Sequence, residues 1–374
     1  MAERAVASVN LAAIERNTRL MSQAAGDAVL CAVVKADGYG HGATESARAA
    51  IAGGAGWVAV ATAAEAASLR EAGIDVPILV MGALAPEEVE VAVAAGADLV
   101  AWSDEFVSQV EALGGAPIHV KYDSGMGRLG TRSADRATEI SERVAASASC
   151  RLAGLMTHFA TADQEGDEFF GEQLERFRAW SEPLAGRFPD ALVHAANSAA
   201  MLRDPGSAFD MVRPGVALYG MDPFGTDAAA RGLEPALVLR SWAAAVKPCA
   251  PGESVGYGRN FVATEVTTIA TVPVGYGDGW SRALGNRIEA LVGGARRPVV
   301  GNVSMDNLTI DLGPQSGVSV GDEVILLGPG EGGGVTAEDV ATELGTINYE
   351  VTCSLTPRVR RLYHRDGSGE GEAA

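Results

Sequence analysis

The chain has 374 residues, of which 47% are hydrophobic and 21% are charged, and this length favours two domains over a single core. The formal net charge of −19 argues against a nucleic acid as the main partner, because a phosphate backbone is also anionic. No apolar run approaches the roughly 18 residues of a membrane helix, and the sequence begins without the basic and apolar segments of a secretory signal. We therefore expect a cytoplasmic protein.

The cysteines and histidines do not indicate a metal site. The five histidines are scattered, and the four cysteines lie far apart, with no paired spacing for zinc or for a redox dithiol: Cys31, Cys150, Cys249 and Cys353. We expect no metal cofactor.

After a short leader, 1–10, residues 11–24 have helical periodicity, and eight apolar runs follow, most of them separated by segments of helical composition. The apolar runs are 29–34, 57–61, 77–81, 98–102, 118–122, 152–159, 192–196 and 211–218, and the clearest helical segments are 44–52, 63–72, 86–95, 103–113, 133–148 and 166–188. This alternation predicts an α/β fold, a (β/α)8 barrel over residues 1–231. An open doubly wound sheet is the alternative, but its first turn should carry a GxGxxG motif, and KADGYGHG is not one.

From residue 232 the helical periodicity fades, and short β-rich runs alternate with Gly and Pro turns. The runs are 237–246, 267–274, 287–291, 298–303, 308–312 and 323–327, and one helix is predicted at 336–344. Residues 232–374 are therefore predicted to form a mostly β domain, with a polar, disordered tail after about residue 364.

Polar residues cluster at the ends of the predicted strands, where (β/α)8 barrels place their catalytic groups. Lys35 ends the first strand within AVVKADGYGHG, and it is either a lysine that reaches solvent or a desolvated amine that can act as a nucleophile or base. The later strand ends carry Lys121, Asp123 and Arg128, then His158, then Asn197 and Ser198, and finally Arg213, Gly215 and Tyr219. Taken singly, His158 is more often a core histidine and Ser198 a helix cap. Their convergence on one rim favours a site.

The loops after the seventh and eighth strands commonly bind phosphate in such barrels. Ser198 at a helix start and the small-residue turn at Gly215 suit such a site, because backbone N–H groups can approach a phosphate there. A phosphate site beside the strand-end Lys35 predicts a phosphorylated aldehyde bound as a Schiff base, which is pyridoxal phosphate.

These residues lie in stretches that resemble, in order, the signature stretches of the alanine racemase family. The stretches are AVVKADGYGHG, KYDSGMGRLG, THFATAD, AANSAA, VRPGVALYG, VGYGRNFVA, PVGYGDG, SMDN and TINYEV, and the resemblance runs from about Val9 to Arg361. It implies an enzyme that interconverts L-alanine and D-alanine and supplies D-alanine for peptidoglycan.

The resemblance implies two bases. Lys35 carries the cofactor and handles the α-proton of the D-enantiomer, and Tyr257, in the β domain, is the opposed base for the L-enantiomer. Racemisation removes a proton from one face of a planar carbanion and returns it to the other, and one fixed residue rarely reaches both faces. The resemblance also implies a head-to-tail homodimer in which Tyr257 comes from the other subunit.

The resemblance assigns further roles. Arg213 faces the pyridine nitrogen, and His158 contacts Arg213 or the cofactor. The residues expected at the cofactor phosphate are Tyr39, Ser198, Gly215, Val216 and Tyr349, with Asn197 in the same cofactor site. Arg128 and the backbone N–H of Met305 bind near the substrate, with Tyr276 and Asp306 as supporting residues.

Lys121 has a more particular interpretation. Strand alternation puts Lys121 on the same face as Asp123, near Arg128, and two cations that close repel each other. In the family this lysine is often carbamylated, which makes it an anion that can fix Arg128. The alternative is that Asp123 supplies the counter-charge.

Two positions depart from the family pattern: Asn302 stands where arginine is common, and Ser304 where cysteine is frequent. Strict alanine specificity is therefore less secure, and a serine or broad-specificity racemase is the second hypothesis. A third is a non-catalytic barrel protein that binds pyridoxal phosphate, although that class lacks the β domain and its tyrosine. A decarboxylase of the same two-domain plan would need a cysteine and acidic substrate contacts that are not found at matching positions.

Overall fold

The computed structural model of the chain describes residues 3–367, which divide into two compact units. One unit is Ile14–Leu218, and the other combines the described residues up to Ala13 with those from Tyr219 onward. The predicted boundary at residues 231 and 232 therefore differs from the division in the structure, which also assigns the N-terminal residues to the second unit.

The first unit is a closed parallel barrel of eight strands, as predicted. The strands are β2 (Val29–Val33), β3 (Trp57–Val60), β4 (Ile78–Val80), β5 (Asp98–Ala101), β6 (Pro117–Lys121), β7 (Arg151–Met156), β8 (Leu192–His194) and β9 (Met211–Val212), preceded by β1 (Val6–Asn10) of the other unit. Val29 of β2 pairs with Met211 of β9 and closes the ring. The strands are short and almost wholly buried, which explains why each one reads as a continuous apolar run.

Helices α1 to α9 precede, separate or follow these strands. They are α1 (Leu11–Ala25), α2 (Lys35–Tyr39), α3 (Ala43–Ala52), α4 (Ala63–Glu71), α5 (Pro86–Ala94), α6 (Asp104–Ala112), α7 (Ala134–Ala146), α8 (Phe169–Arg187) and α9 (Ser198–Arg203). Side-chain caps fix several starts: the hydroxyl of Ser103 accepts from the Phe106 N–H, and the amide oxygen of Asn197 accepts from the Ala200 N–H. The predicted runs 152–159 and 211–218 were too long, because the chain leaves the barrel early in both segments and forms the rim loops.

Within residues 3–367, the second unit contains three β-sheets and the helices α10 and α11. Its strands after β1 are β10 (Leu237–Trp242), β11 (Ala245–Cys249), β12 (Ser254–Val255), β13 (Phe261–Val262), β14 (Thr267–Val272), β15 (Glu289–Val292), β16 (Ala295–Pro298), β17 (Leu308–Asp311), β18 (Glu323–Gly330), β19 (Gly333–Val335) and β20 (Arg360–His364), and its helices are α10 (Ala337–Leu344) and α11 (Asn348–Cys353). The largest sheet has the order β16-β15-β18-β10-β1-β20, with β19 on β18. The second domain is mostly β, as predicted.

Residues 6–10, which were predicted to belong to a short leader, form strand β1. Strand β1 lies between β10, to which it is antiparallel, and β20, to which it is parallel, so that Val9 pairs with both Leu237 and Tyr363. Ala7 and Val9 are fully buried, which gives the strand its alternating pattern.

One other prediction in this unit was wrong. Residues 298–303 were predicted as a strand. The strand in the structure is β16, which begins at Ala295, just after the Gly293-Gly294 turn, and ends at Pro298. Strand β20 ends at His364, where the polar tail was predicted to begin, and the side-chain amide of Asn10 donates to the Asp366 carboxylate at 3.2 Å. Residues 368–374 of that tail lie outside the described residues. Within residues 3–367, no helix has the length and apolar character to cross a membrane.

Candidate active site

The polar residues predicted for the barrel rim lie at the carboxyl ends of the strands. Lys35 follows β2 by two positions, Lys121 is the last residue of β6, and Arg213 follows β9 directly. The other rim residues lie on the loops or helix starts that follow the strands: Tyr39, Arg128, His158, Asn197, Ser198, Gly215 and Val216. Because the strands are parallel and the sheet is closed, these ends share one rim.

The chain leaves Lys35 through a left-handed turn. Ala36 has φ 52° and ψ 50°, Asp37 has φ 52° and ψ 49°, and Gly38 and Tyr39 also have positive φ. A residue with a Cβ costs about 1–2 kcal/mol in this conformation, because the Cβ approaches the following carbonyl oxygen. The segment after Lys35 is therefore strained, and neighbouring groups must hold it in place.

The predicted phosphate site is a compact group of donors around Ser198. The Ser198 hydroxyl oxygen accepts from the N–H of Gly215 at 2.9 Å and from the N–H of Ala217 at 3.4 Å, so its own hydrogen remains available for a third group. The helix cap that Ser198 was considered for is provided by Asn197 instead. A Cβ at Gly215 would lie 2.3 Å from the hydroxyl of Tyr39, so a larger residue there would displace the Tyr39 ring. Hydroxyl and backbone donors at a loop without a carboxylate suit an anion such as phosphate.

Arg213 is buried directly below the rim. One nitrogen of its guanidinium donates to the carbonyl oxygens of Thr157 at 2.8 Å and Ala195 at 2.9 Å, and another donates to Nδ1 of His194 at 2.5 Å. Burial lowers the pKa of Arg213 to about 10, which still leaves it cationic at neutral pH. Three fixed acceptors thus hold this cation at the end of β9.

The contacts of Arg213 continue into the barrel as a line of hydrogen bonds. Nε2 of His194 lies 2.8 Å from Nδ1 of His119, and Nε2 of His119 lies 3.2 Å from the Asp98 carboxylate. An arginine can only donate, so His194 accepts at Nδ1 and, when neutral, donates from Nε2. His119 then accepts at Nδ1 and donates from Nε2 to Asp98. The line therefore runs in one direction, from a cation through two neutral imidazoles to a carboxylate.

The histidine that hydrogen-bonds to Arg213 is His194. The contact of His158 with Arg213 or the cofactor stays a prediction, and Arg213 is the first of the cations that lower the pKa of His158. His194 ends β8 and His119 lies within β6, and neither was assigned a role from the sequence. The available signal was that three polar residues, Asp98, His119 and His194, fall within predicted apolar strands. Buried polar groups in such positions need partners, and here they partner one another.

His158 lies among the cationic residues of the rim. Burial shifts the pKa of His158 well below 6.5, and nearby cations lower it further, in the order Arg213, Lys121, Arg128 and Lys35. The same positive field acts on Lys121: burial, then Arg213 and Arg128, lower the pKa of Lys121 from 10.5 to about 8. Four cations on one rim favour an anionic ligand.

Asp123 does not pair directly with Lys121. Its carboxylate accepts from the N–H groups of Gly125 and Gly127 and lies 3.4 Å from Nε of Arg132. Its negative charge raises the pKa of Lys121, but less than burial and the arginines lower it. Asp123 therefore shapes the loop that carries Arg128 and offsets only part of the positive charge.

In the second unit, Tyr257 lies on an exposed turn. Its side chain is 75% exposed, and its carbonyl oxygen accepts from the side-chain amide of Asn302 at 2.7 Å. Asn260 in turn donates to the side-chain oxygen of Asn302 at 2.9 Å. Asn302, noted as a departure from the family pattern, thus ties the Tyr257 turn to the SMDN loop.

The SMDN loop also contacts the loop that carries Tyr276. The Tyr276 N–H donates to the Ser304 carbonyl at 3.1 Å, and the Gly277 N–H donates to the Met305 carbonyl at 2.9 Å. Met305 is 53% exposed, and Arg358 binds Asp306 at 2.7 Å, which lowers the pKa of that carboxyl. Hydrogen bonds therefore join the loops that carry Tyr257, Tyr276, Met305 and Asp306.

Tyr349 is a half-buried residue in the first turn of α11, beside Asn348. Asn348 anchors that helix by donating to the Asp222 carbonyl at 2.7 Å and to Glu338 at 2.8 Å. In the described part of the chain, no group of three or more His, Cys, Asp or Glu side chains could hold a metal ion.

Comparisons with known proteins cover nearly the whole chain. The family models for the alanine racemase N-terminal domain and the alanine racemase C-terminal domain match residues 9–223 and 236–363. The chain is 42% identical to an alanine racemase of Mycobacterium avium, over 96% of this chain and 95% of that one. It is 40% identical to an alanine racemase of Halalkalibacterium halodurans, again over 96% of this chain and 95% of the other.

A solved structure agrees with these sequence matches. The alanine racemase of D-cycloserine-producing Streptomyces lavendulae superposes with a TM-score of 0.91 at 37% identity, covering 97% of this chain and 98% of that one. The barrel, the mostly β unit and these matches define the protein as an enzyme of the racemase class. The chain belongs to the alanine racemase family.

Proposed function

We propose that this protein interconverts L-alanine and D-alanine with pyridoxal phosphate as cofactor. The observation that carries the proposal is the rim, where Lys35 and three other cations act on His158 beside the donor group at Ser198. A lysine, a site for an anionic phosphate and a buried arginine are the groups that this cofactor needs. When bound, pyridoxal phosphate supplies an electron-withdrawing ring that stabilises the negative charge left on the α-carbon of the substrate.

At one end of the site, Ser198 and the N–H groups near Gly215 hold the phosphate, together with Tyr39, Asn197, Val216 and Tyr349. At the other end, Arg213 faces the ring nitrogen. Because an arginine is always charged and cannot accept a proton, it does not turn the ring into the strongest electron sink. The negative charge on the α-carbon is then short-lived, which limits side reactions such as transamination.

Two residues move the α-proton. Lys35 handles the proton of D-alanine, and Tyr257 handles that of L-alanine on the opposite face. Arg128 would bind near the phenolate oxygen of the cofactor and the proton-transfer tyrosine, Tyr257. The backbone N–H of Met305 would help bind the substrate carboxylate, with Tyr276 and Asp306 in support. His158, kept neutral by burial and by its cationic neighbours, orients the groups around it without adding charge.

Each site draws on two chains. We infer a head-to-tail homodimer in which Tyr257 of one subunit serves the Lys35 site of the other. The exposure of the Tyr257 and Met305 side chains, at 75% and 53%, supports this arrangement, because a proton-transfer residue needs a site that excludes water. The enzyme acts in the cytoplasm, where its D-alanine product is used for peptidoglycan.

Lys121 is proposed to be carbamylated. A buried amine whose pKa is about 8 is partly neutral near physiological pH, and only a neutral amine can attack carbon dioxide. The carbamate is an anion that offsets the positive charge of Arg128 and Arg213. A high-resolution density map will show three atoms beyond the amine nitrogen; a bare ammonium in protein handled with bicarbonate would contradict this assignment.

Broader substrate specificity is the second candidate, and Asn302 is the observation that favours it. An amide at this position removes a cation from the approach to the site, while also bonding to the Tyr257 turn. A serine or multi-substrate racemase would use the same two bases.

A racemisation assay on L-alanine, D-alanine and L-serine, with and without added cofactor, tests the proposal. We expect cofactor-dependent racemisation of alanine in both directions, slower turnover of serine, and a visible absorbance band that borohydride abolishes. Lys35→Ala should lose both the band and the activity, whereas Tyr257→Phe should keep the band and lose the activity. Absence of the band in active protein would exclude the cofactor, and equal rates on serine would favour the broad-specificity enzyme.

A further inference from the structure

The left-handed turn after Lys35 is closed in part by backbone hydrogen bonds within the segment itself. The Gly38 N–H donates to the Val34 carbonyl at 2.8 Å, and the Gly40 N–H donates to the Ala36 carbonyl at 3.0 Å. Ala36 and Asp37 have side chains that disfavour their positive φ angles. Such a turn persists only when groups from outside it fix its geometry.

One carboxylate from the first turn of α4 contributes to that fixation. Oε1 of Glu65 accepts from the Ala36 N–H at 2.6 Å, while Oε2 accepts from the N–H groups of Ala61 at 2.8 Å and Thr62 at 3.1 Å. Glu65 therefore joins the loop after β2 to the loop after β3 through three backbone donors. Hydrogen bonds to a charged acceptor are about twice as strong as neutral ones.

The bond to Ala36 acts on Lys35 directly. The Ala36 N–H belongs to the same planar peptide unit as the carbonyl of Lys35, so holding that N–H fixes the plane in which the chain leaves the lysine. The direction of the Lys35 side chain depends on that backbone. A second bond, from the Ala43 N–H to the Asp37 carboxylate at 2.9 Å, fixes the far end of the turn.

We propose that Glu65 is a positioning residue for Lys35, and that its carboxylate keeps the strained turn closed so that the lysine amine meets the cofactor. This inference rests on the proposed function only in taking Lys35 as the attachment point. The competing role is structural, because Glu65 also forms the capping box of α4, in which its own N–H donates to the Thr62 hydroxyl at 3.2 Å.

Four variants separate the two roles: Glu65→Gln, Thr62→Ala, Ala36→Gly, and the double variant Glu65→Gln/Ala36→Gly. We call the hydrogen bonds that Glu65 accepts from the Ala36 N–H on one side, and from the Ala61 and Thr62 N–H groups on the other, the clamp. Glutamine has the same shape as glutamate, but its NH2 group cannot accept a hydrogen bond from a backbone N–H, so the bonds on one side of the clamp are lost. Thr62→Ala weakens the capping box and leaves the Glu65 bond to Ala36 intact. Glycine adopts positive φ without a steric penalty, so Ala36→Gly closes the turn without the clamp.

The first readout is the rate at which added cofactor becomes borohydride-trapped on Lys35, measured by peptide mass. The second is the thermal midpoint without cofactor. We expect Glu65→Gln to lower the trapping rate and kcat about tenfold. Thr62→Ala should lower the thermal midpoint and keep the trapping rate within about twofold of that of the parent protein. The double variant should recover most of the lost trapping rate and most of the lost kcat. Recovery through Ala36→Gly is an effect that a helix cap cannot produce.

Equal trapping in Glu65→Gln and the parent protein, or no recovery in the double variant, would overturn the proposal. If Glu65→Gln is recovered unfolded, a folded double variant supports the clamp and an unfolded one contradicts it. Failure of the proposed function would give a different result. The parent protein would then show no added mass on Lys35, while the thermal midpoints of the variants without cofactor would still show whether Glu65 stabilises the turn.

Discussion

The guanidinium of Arg213 donates to Nδ1 of His194 at 2.5 Å, and this single bond decides where the protons lie on two buried histidines. Because Nδ1 of His194 must accept, its proton is on Nε2, which faces Nδ1 of His119 at 2.8 Å. The charge of Arg213 is thereby linked through two neutral rings to Asp98. A buried arginine without a balancing carboxylate would be costly, and Asp98 provides that balance at a distance.

We predict that both His119 and His194 are neutral and carry their proton on Nε2. Burial lowers the pKa of His119 and shifts that of His194 well below 6.5, so both rings stay neutral at pH values where an exposed histidine is charged. Nitrogen NMR of the histidine-labelled protein distinguishes the two tautomers, with the half-buried His364 as the reference.

A proton on Nδ1 of either ring, or a charged ring at neutral pH, would contradict the direction of the hydrogen-bonded line.

The lowered pKa values of His119 and His194 also affect stability. Below about pH 6.5 the unfolded chain binds protons that these folded histidines do not, so the free energy of unfolding should fall on acidification. His194→Gln should reduce that dependence.

Lys121 predicts a pH dependence of the same sign on the alkaline side. Its pKa falls from 10.5 to about 8 on folding, so between these values the unfolded chain binds more protons and the free energy of unfolding rises with pH. The full contribution is about 3 kcal/mol. Chemical denaturation across this range in buffer free of carbon dioxide measures it, and Lys121→Met should give a curve flatter by that amount. Parallel curves for the two proteins would show that Lys121 keeps an ordinary pKa in the folded chain.

Asn302 is predicted to hold Tyr257 in position. Asn302→Ala removes the bond to the Tyr257 carbonyl, worth about 1 kcal/mol, so kcat/KM should fall about fivefold. The fall should be the same from L- and D-alanine, because Tyr257 takes the proton in one direction and returns it in the other.

Asn260→Ala is the matched control for this prediction. It removes the bond to the side-chain oxygen of Asn302 and leaves the bond from Asn302 to the Tyr257 turn. We expect a change in kcat/KM of less than about twofold for it. An equal fall in kcat/KM for Asn302→Ala and Asn260→Ala would mean that Asn302 acts on the whole loop and not through its bond to the Tyr257 carbonyl.

The barrel was predictable because buried parallel strands read as continuous apolar runs, and each of the eight runs matches a strand. Strands β1 and β20 were missed because they pair across almost the whole chain, so neither contains a local signal of its partner. The line from Arg213 to Asp98 was missed for a related reason. Which strand residues face each other depends on the stagger of the closed sheet.

Gly154 illustrates this dependence. A Cβ at Gly154 would lie 2.1 Å from Nδ1 of His119, so the glycine in β7 makes room for the ring from β6. The register also shifts between Ile118 and His119. No local pattern in the sequence encodes that fit. The left-handed turn after Lys35 was also hidden, because Ala36 is not a residue that indicates positive φ.

Mixing subunits tests whether the proposed site is shared. Lys35→Ala and Tyr257→Phe chains should each be inactive alone. In a heterodimer, the Lys35 of one chain meets the Tyr257 of the other in one site, while the second site carries both substitutions. Random exchange makes about half of the dimers mixed, with one intact site in two, so about a quarter of the parent activity should return. Subunit exchange is verified by mass-tagging one variant. Mixed dimers without activity would mean that Lys35 and Tyr257 serve one site from the same chain.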